Sequence, residues 1–352
     1  MRSRPTGIAV YGRGLIRALA ERSPGTYTLL HPVSRLPGRA VLREYLPGVS
    51  IQAYWTGSRL GRCFSAVHAL DTRLPRSYRG PLSATIFDVL SALPLSAELG
   101  LSSSEFRAKK LEAYKHIAER ARTIITLSEA TRQEVLARFS PRGPVIVVPP
   151  GLDLPGPVPR PEALEAMLRL GISAPFVLAV GALCPRKNVE GAVEALQAAR
   201  RDRPELRLVL VGEPERGWTG SRGEQAVREA GDAVCVLGYL DGRSLWAAYA
   251  AAEALIHMSH YEGFGLTVLE ALAAGTPVLA SSRGGLPEAA GRAAWLVDPS
   301  VPGLAAGTLR RILDGPRDLA ERRRAGLAHA ASFTWARAAE RIEQVLHEIA
   351  GA

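Results

Sequence analysis

Five short apolar runs recur in the second half of the chain: PFVLAVG from Pro175, LRLVLVG from Leu206, AVCVLG from Ala233, ALIHMS from Ala254 and TPVLAS from Thr276. Each is too short for a buried helix and too continuously apolar for a sheet with one wet face. Runs of this kind, separated by helix-length segments, predict a parallel sheet covered on both faces. The second half therefore reads as a doubly wound α/β domain. In such sheets ligands bind beyond the carboxyl ends of the strands, so the informative residues are those that follow each run.

The first half shows the same alternation less cleanly. GLIRALAERS from Gly14 predicts a helix, YTLLHPV from Tyr27 a strand, and SATIFDVLSA from Ser83 a strand running into a loop. SSEFRAKKLEAYKHIAERA from Ser103 predicts a long helix with Phe106, Leu111, Tyr114 and Ile117 near one face. TIITLS from Thr123 and VIVVPPG from Val145 predict strands, and Ser128 or Thr131 caps the intervening helix EATRQEVLARF. The Pro/Gly cluster at residues 149–161 reads as a linker. A chain of 352 residues exceeds one ordinary core. The expected division is residues 1–155, residues 156–335, and a terminal amphipathic helix over 336–352, free to pack on either domain, the N-terminal one included.

Composition removes several function classes. No apolar run reaches the roughly 18 residues that span a bilayer, and the N-terminus lacks a secretory apolar core, so a cytoplasmic protein is expected. Cys63, Cys184 and Cys235 stand in no metal-ligand spacing, and neither do His68, His257 and His260. The net charge of +10 comes almost wholly from arginine, with lysine only at Lys109, Lys110, Lys115 and Lys187. These cations are dispersed without an aromatic-interleaved stripe, which argues against nucleic acid and for a weak attraction to anionic lipid or anionic substrates. GRGLIR from Gly12 imitates part of a dinucleotide fingerprint but lacks the third glycine, so no NAD site is expected.

The residues after the runs carry the chemistry. ALCPRKN places Arg186 and Lys187 past a strand end and before the helix VEGAVEALQAAR. Two cations beside a helix N-terminus suit an anion, although a solvated basic turn has the same sequence. HYEGFG forms the loop after ALIHMS, and LTVLEALAAG the following helix, which puts Glu262 in the loop and Glu270 more than a turn inside. Gly263 and Gly265 allow a close backbone approach. At about 1.5 Å per helical residue the two carboxylates lie on the order of 10 Å apart. That is too far for a retaining glycosidase pair, which needs roughly 5 Å. It suits two acids gripping hydroxyls at the ends of one ligand, with an anion between them, as in a nucleotide sugar. A capping acid and a helix-surface acid remain the alternative.

HYEGFGLTVLEALAAGTPVLAS resembles the E-x7-E motif of retaining glycosyltransferase family 4, whose fold is GT-B. AVGALCPRKN, LRLVLVGEPERGW, VLGYLDGRSLWAAYAAAEALI, RGGLPEAAGRAAWLVDP and FTWARAAERI resemble its other segments in order, over about residues 175–345. TGIAVYGRGLIRAL, TIFDVLSALPL and IITLSEATRQEV do so more weakly. The resemblance implies two Rossmann-like domains facing across a cleft, the first for the acceptor and the second for the donor. Glu262 would contact the transferred sugar and Glu270 the ribose. Arg186 and Lys187 would neutralise the diphosphate with help from the backbone of Phe264, Gly265 and Leu266, and Gly263 would belong to the same donor site. Gly181 would border the phosphates and Gly238 the base pocket. Gly7, Phe87 and Asp88 would lie near the sugar or acceptor. The implied reaction is metal-independent, cofactor-free hexosyl transfer with retention, from GDP-mannose or a UDP-hexose to a cell-envelope glycan or lipid-linked saccharide, beside an anionic membrane face.

Three departures accompany the resemblance. The family begins with a strand ahead of its TGI loop, which here starts at Thr6; it often has His-Asp where this chain has Phe87-Asp88; and Ala9 stands where many relatives have glycine. These motivate a second expectation, a catalytically weak nucleotide-sugar-binding scaffold or partner subunit. An epimerase or hydrolase on the same fold is a third, opposed by the E-x7-E motif.

Overall fold

The computed structural model describes residues 7–32, 49–54, 64–70, 72, 74, 78–173 and 175–351. Cys63 and any strand ahead of Thr6 lie outside them. The chain divides into two compact units: Met1–Val89 with Ala108–Asp153 and Phe333–Ala352, and Leu90–Arg107 with Leu154–Ser332. The division differs from the sequence reading at Leu90–Arg107. That segment is bonded to itself, Ser96 Oγ lying 3.1 Å from Ser102 Oγ and Arg107 donating to the Ser102 carbonyl at 2.9 Å.

The first unit begins with the helix Gly7–Arg22. Strands β1 (Thr28–Pro32) and β2 (Ser50–Tyr54) form a parallel pair. Strands β3 (Val67–Ala69), β4 (Leu82–Ile86), β5 (Thr123–Thr126) and β6 (Val145–Val147) form a parallel sheet in that order. Every side chain of β4 and β5 is buried, as continuous runs in a two-sided sheet require. Ser128 is the cap of the helix Glu129–Phe139, its side chain accepting from the Thr131 N–H at 3.1 Å. In the helix Ser104–Arg120 the buried residues are Tyr114, Ile117 and Ala118, whereas Phe106 is 45% exposed, contrary to the expected apolar face. The terminal helix Trp335–Gly351 packs on Gly7–Arg22. A side chain at Gly14 would collide with the Trp335 ring, a built Cβ falling 2.1 Å from it. The glycines of GRGLIR thus lie inside a helix, and Gly14 serves helix packing. Glu343 adds polar anchors, accepting from Ser23 Oγ at 2.6 Å and Tyr27 OH at 2.8 Å.

The second unit is built on a six-stranded sheet of β7 (Phe176–Val180), β8 (Arg207–Val211), β9 (Val234–Gly238), β10 (Ala254–His257), β11 (Val278–Ser281) and β12 (Trp295–Val297). All pairings are parallel, and the spatial order is β12-β11-β10-β7-β8-β9. Strand β12 is an addition to the five expected runs. Val177, Leu196, Leu208, Leu210, Ile256 and Leu279 centre a core packed between sheet and helices. The chain builds outward from β7 to β9 on one side and from β10 to β12 on the other, so the winding reverses between β7 and β10. Loops leaving neighbouring strands at such a reversal diverge and open a crevice, which makes this strand pair the place to look for a ligand site. No helix among the described residues is long and apolar enough to cross a membrane.

Candidate active site

The loops leaving β7 and β10 carry the sequence-predicted charges, and the pairing of those strands brings them together. After β7 the chain runs through Gly181 into a tight turn at Pro185–Lys187 and then the helix Val189–Arg200. Asn188 caps that helix, Oδ1 accepting from the Gly191 N–H at 3.1 Å. Gly181 has φ +136°, and a Cβ there would stand 2.9 Å from Lys187 Nζ, so glycine leaves room for the lysine to fold back over the strand end. The His260 N–H donates to the Arg186 carbonyl at 2.9 Å, tying the two loops backbone to backbone.

Glu262 is the hub. Its Oε1 lies 2.5 Å from Arg186 Nη1 and 2.7 Å from Lys187 Nζ. The same oxygen accepts from Ser259 Oγ at 2.8 Å and lies 3.4 Å from His257 Nε2. Arg186 Nη1 also donates to the Tyr261 carbonyl at 3.1 Å. Burial pushes the Glu262 carboxyl up, but the two cations and His257 outweigh it and hold the group well below the usual carboxylate range. Burial lowers His257, and Lys187 lowers it further, so the imidazole is neutral. A cavity of about 20 Å³ lies under this cluster, lined by residues including Gly181, Lys187, His257 and Ser259. It has room for about one water molecule.

The helix Leu266–Ala273 starts after Gly265 with no acid in its first turn and no side-chain cap. No side chain of its own first turn offsets its positive end, which adjoins the loop that holds Glu262. Gly265 has φ +123°, and a Cβ there would fall 2.7 Å from Leu286 Cδ2. The missing side chain at Gly265 thus serves packing on the helix Leu286–Ala290, where the sequence suggested access for a ligand. Gly285, not singled out from sequence, donates its N–H to the Glu262 carbonyl at 2.8 Å. Glu270 sits on the helix's second turn, and Tyr249 OH donates to its Oε2 at 2.7 Å. Tyr249 is fully buried on the helix Gly242–Ala251. Burial and then the Glu270 charge raise its hydroxyl well above the ordinary range, which keeps it a donor.

The remaining predicted residues occupy other places. Phe264 is buried, and Gly263 and Leu266 flank the helix start. Gly238 ends β9 with φ +67° and accepts from the Gly212 N–H at 2.8 Å. Gly7, Phe87 and Asp88 belong to the first unit: Gly7 opens its first helix, and Phe87 and Asp88 follow β4. Phe87 meets the Tyr11 ring edge-on, centroids 5.0 Å apart. His260 is half-buried, and burial lowers it, with Glu190 opposing. Sequence reasoning missed Ser259 and Tyr249 and gave His257 no role; no spacing in the chain links them to the two glutamates. A wider depression of about 750 Å³ is lined by Arg310, Arg311 and Arg317, but Arg310 is paired with Asp202 at 2.6 Å and Arg311 faces Asp318 at 3.9 Å, so we give it no role.

Comparison with known proteins identifies the family and the fold. Residues 168–332 match the family described as "Glycosyl transferases group 1". The chain is 31% identical over 239 residues to the O-antigen chain mannosyltransferase B of Escherichia coli, a match covering 65% of this chain and spanning 61% of that protein. It is 30% identical over 347 residues to the D-inositol 3-phosphate glycosyltransferase of Streptomyces avermitilis, covering 95% of this chain and 68% of that one. Among solved structures, Anabaena HepE in complex with UDP and glucose superposes with a TM-score of 0.74 at 17% identity, covering 99% of this chain and 97% of that chain. The two parallel α/β units have the GT-B fold, and the chain belongs to the glycosyl transferases group 1 family.

Proposed function

We propose that the chain transfers a hexose from a nucleoside-diphosphate sugar to a saccharide acceptor with retention of anomeric configuration. The observation that carries this reading is the cluster at the β7/β10 reversal: Arg186 and Lys187 converge on Glu262 beside an uncapped helix N-terminus, with Glu270 one turn further along that helix. In this reading the cations and the helix end take the charge that develops on the leaving diphosphate, which supplies electrostatic stabilisation without a metal. Glu262 accepts a hydroxyl of the transferred sugar, and Glu270, held by Tyr249, accepts the ribose hydroxyls. Gly238 and Gly181 border the nucleotide.

The mannosyltransferase name of one relative supports a mannose donor, with GDP-mannose the first to test, and the UDP complex of the structural neighbour supports a UDP-hexose as the second. The proposal extends to an envelope glycan or lipid-linked saccharide as acceptor and to work in the cytoplasm beside an anionic membrane face, which the net charge of +10 favours. A second reading, nucleotide-sugar binding without turnover, is favoured by Phe87, whose ring packs on Tyr11 and cannot relay a proton. Calorimetry with GDP, UDP, ADP and dTDP, followed by single-turnover transfer assays, tests both. One nucleotide is expected to bind, with the binding lost in Arg186→Ala. Binding without transfer would favour the second reading, and no binding by any of the four would overturn the first.

A further inference from the structure

We propose that Ser259 and His257 are positioning residues that aim the second carboxylate oxygen of Glu262 at one hydroxyl of the transferred sugar and so set which sugars are accepted. The inference rests on the reading above for the identity of the ligand, but the network itself stands on geometry. Ser259 and His257 are buried, at 0% and 4% exposure; His257 is the last residue of β10, a strand hydrogen-bonded on both sides, and Ser259 lies two residues beyond it.

The hydrogen atoms can be placed one by one. An ionised carboxylate only accepts, so the single Ser259 proton goes to Glu262 Oε1 across 2.8 Å. Ser259 Oγ also lies 3.2 Å from His257 Nε2. With the serine proton committed, Nε2 must be the donor, and the neutral ring is then the Nε2–H tautomer. Nε2–H therefore points at Ser259 Oγ and, at 3.4 Å, toward the same Glu262 oxygen.

Oε1 thus meets Arg186, Lys187, Ser259 and His257 together, and among the described residues the polar side-chain contacts of Glu262 fall on that one oxygen. Oε2 takes none of them. The two cations sit on long side chains that a diphosphate would also engage, whereas His257 ends the strand and Ser259 is fully buried just beyond it. When the cations turn to the phosphates, the serine–histidine pair still holds the carboxylate plane. A site built to accept from one hydroxyl rejects analogues that lack it, because the acceptor is left unpaired.

The test uses the full chain with its donor and the monodeoxy analogues of the transferred sugar. The wild type should penalise one deoxy position by roughly 100-fold or more in kcat/KM. In Ser259→Ala that penalty should fall at least tenfold, because turnover of the parent donor drops while that of the deoxy donor holds, and the Kd of the bare nucleoside diphosphate should stay within twofold. His257→Gln, whose side-chain amide can donate from a similar place, should keep the penalty, and His257→Leu should lose it. An equal drop on all donors together with weaker nucleotide binding would mean a merely structural role and overturn the inference, as would an unchanged penalty. Imidazole ¹⁵N spectra separate the two readings without turnover. The Nε2–H tautomer in the wild type, perturbed in Ser259→Ala, supports the network even if no nucleotide sugar is bound, whereas the Nδ1–H tautomer overturns it.

Discussion

Replacing Glu262 with Gln should make the bare nucleoside diphosphate bind more tightly while transfer slows. Oε1 lies 2.5 Å from Arg186 and 2.7 Å from Lys187, with side-chain exposures of 22% for Arg186, 14% for Lys187 and 15% for Glu262. The carboxylate offsets one of the two positive charges, so the cluster presents a net charge of about +1 to an incoming diphosphate. Glutamine keeps the shape and leaves about +2. A phosphate held by the same cations sits roughly 6 Å from the carboxylate, where one unit charge is worth about 3 kcal/mol at an effective dielectric of about 20. Residual solvent and salt reduce this to about 1–2 kcal/mol, or roughly 5–30-fold in Kd. The ligand-free variant should melt lower, because two partly buried cations lose their counter-charge. Added nucleotide should restore much of that loss through linkage. Calorimetry in low and high salt reads the affinity, and the gain should shrink as salt rises. If Glu262→Gln instead weakens nucleotide binding as Arg186→Ala does, Glu262 and the phosphates are not competing for the same cations.

Glu270→Ala should weaken nucleotide binding by about 1–3 kcal/mol, the scale of a lost charge-assisted hydrogen bond, and Tyr249→Phe by about 0.5–1.5 kcal/mol; equal affinities by calorimetry would contradict the ribose role. His68 lies 2.9 Å from both Ser83 Oγ and Thr85 Oγ1, and burial pushes its pKa down to about 4. Unfolded chain binds a proton below about pH 6.5 that the folded chain refuses until about pH 4, so this stability is present above 6.5 and lost as pH falls through that window. Part of the residue still meets solvent, so we set the loss at about 2 kcal/mol; urea midpoints at pH 7 and 4.5 should converge in His68→Gln, and an unchanged pH dependence would contradict it. Gly14→Val should destabilise the first unit by about 2 kcal/mol or more through overpacking against Trp335, read as a lower melting temperature, whereas a neutral result would mean that the two helices separate easily.

The strands of the second unit were legible because parallel strands buried on both faces leave continuous apolar runs that no surface element imitates. Strand β12 escaped because Trp295–Val297 is three residues long and follows a small-residue turn. The first helix was read from Gly14, since Gly7 and Gly12 look like loop punctuation; in the structure it starts at Gly7, and only Gly14 is glycine for a packing reason. Arg186, Lys187 and Glu262 are legible as candidates because each follows a readable strand end, and Glu270 because it lies on the helix that comes after one. Ser259, His257 and Tyr249 are not, because their roles depend on adjacencies that pattern does not encode. The neighbours of Ser259 and His257 are fixed only when β10 lies beside β7, and Tyr249 reaches Glu270 from a different helix. A buried hydroxyl next to a carboxylate looks, in sequence, like any core serine or tyrosine.

The state of Glu262 also constrains the proposed transfer with retention. A carboxylate that attacks the anomeric carbon, or removes a proton, needs basicity. Here the group is held well below the usual carboxylate range, and its Oε1 receives four contacts. Lowered basicity lowers both nucleophilicity and general-base efficiency. In the proposed reaction Glu262 therefore holds a hydroxyl, and the proton of the acceptor would go to the departing phosphate on the same face of the sugar. Mass spectrometry of the enzyme quenched during turnover should then find no glycosyl adduct on Glu262, and Glu262→Gln should slow transfer without changing the anomeric outcome. A trapped adduct at Glu262, or inversion in the variant, would show that the carboxylate reacts and that its cations leave it before the chemical step.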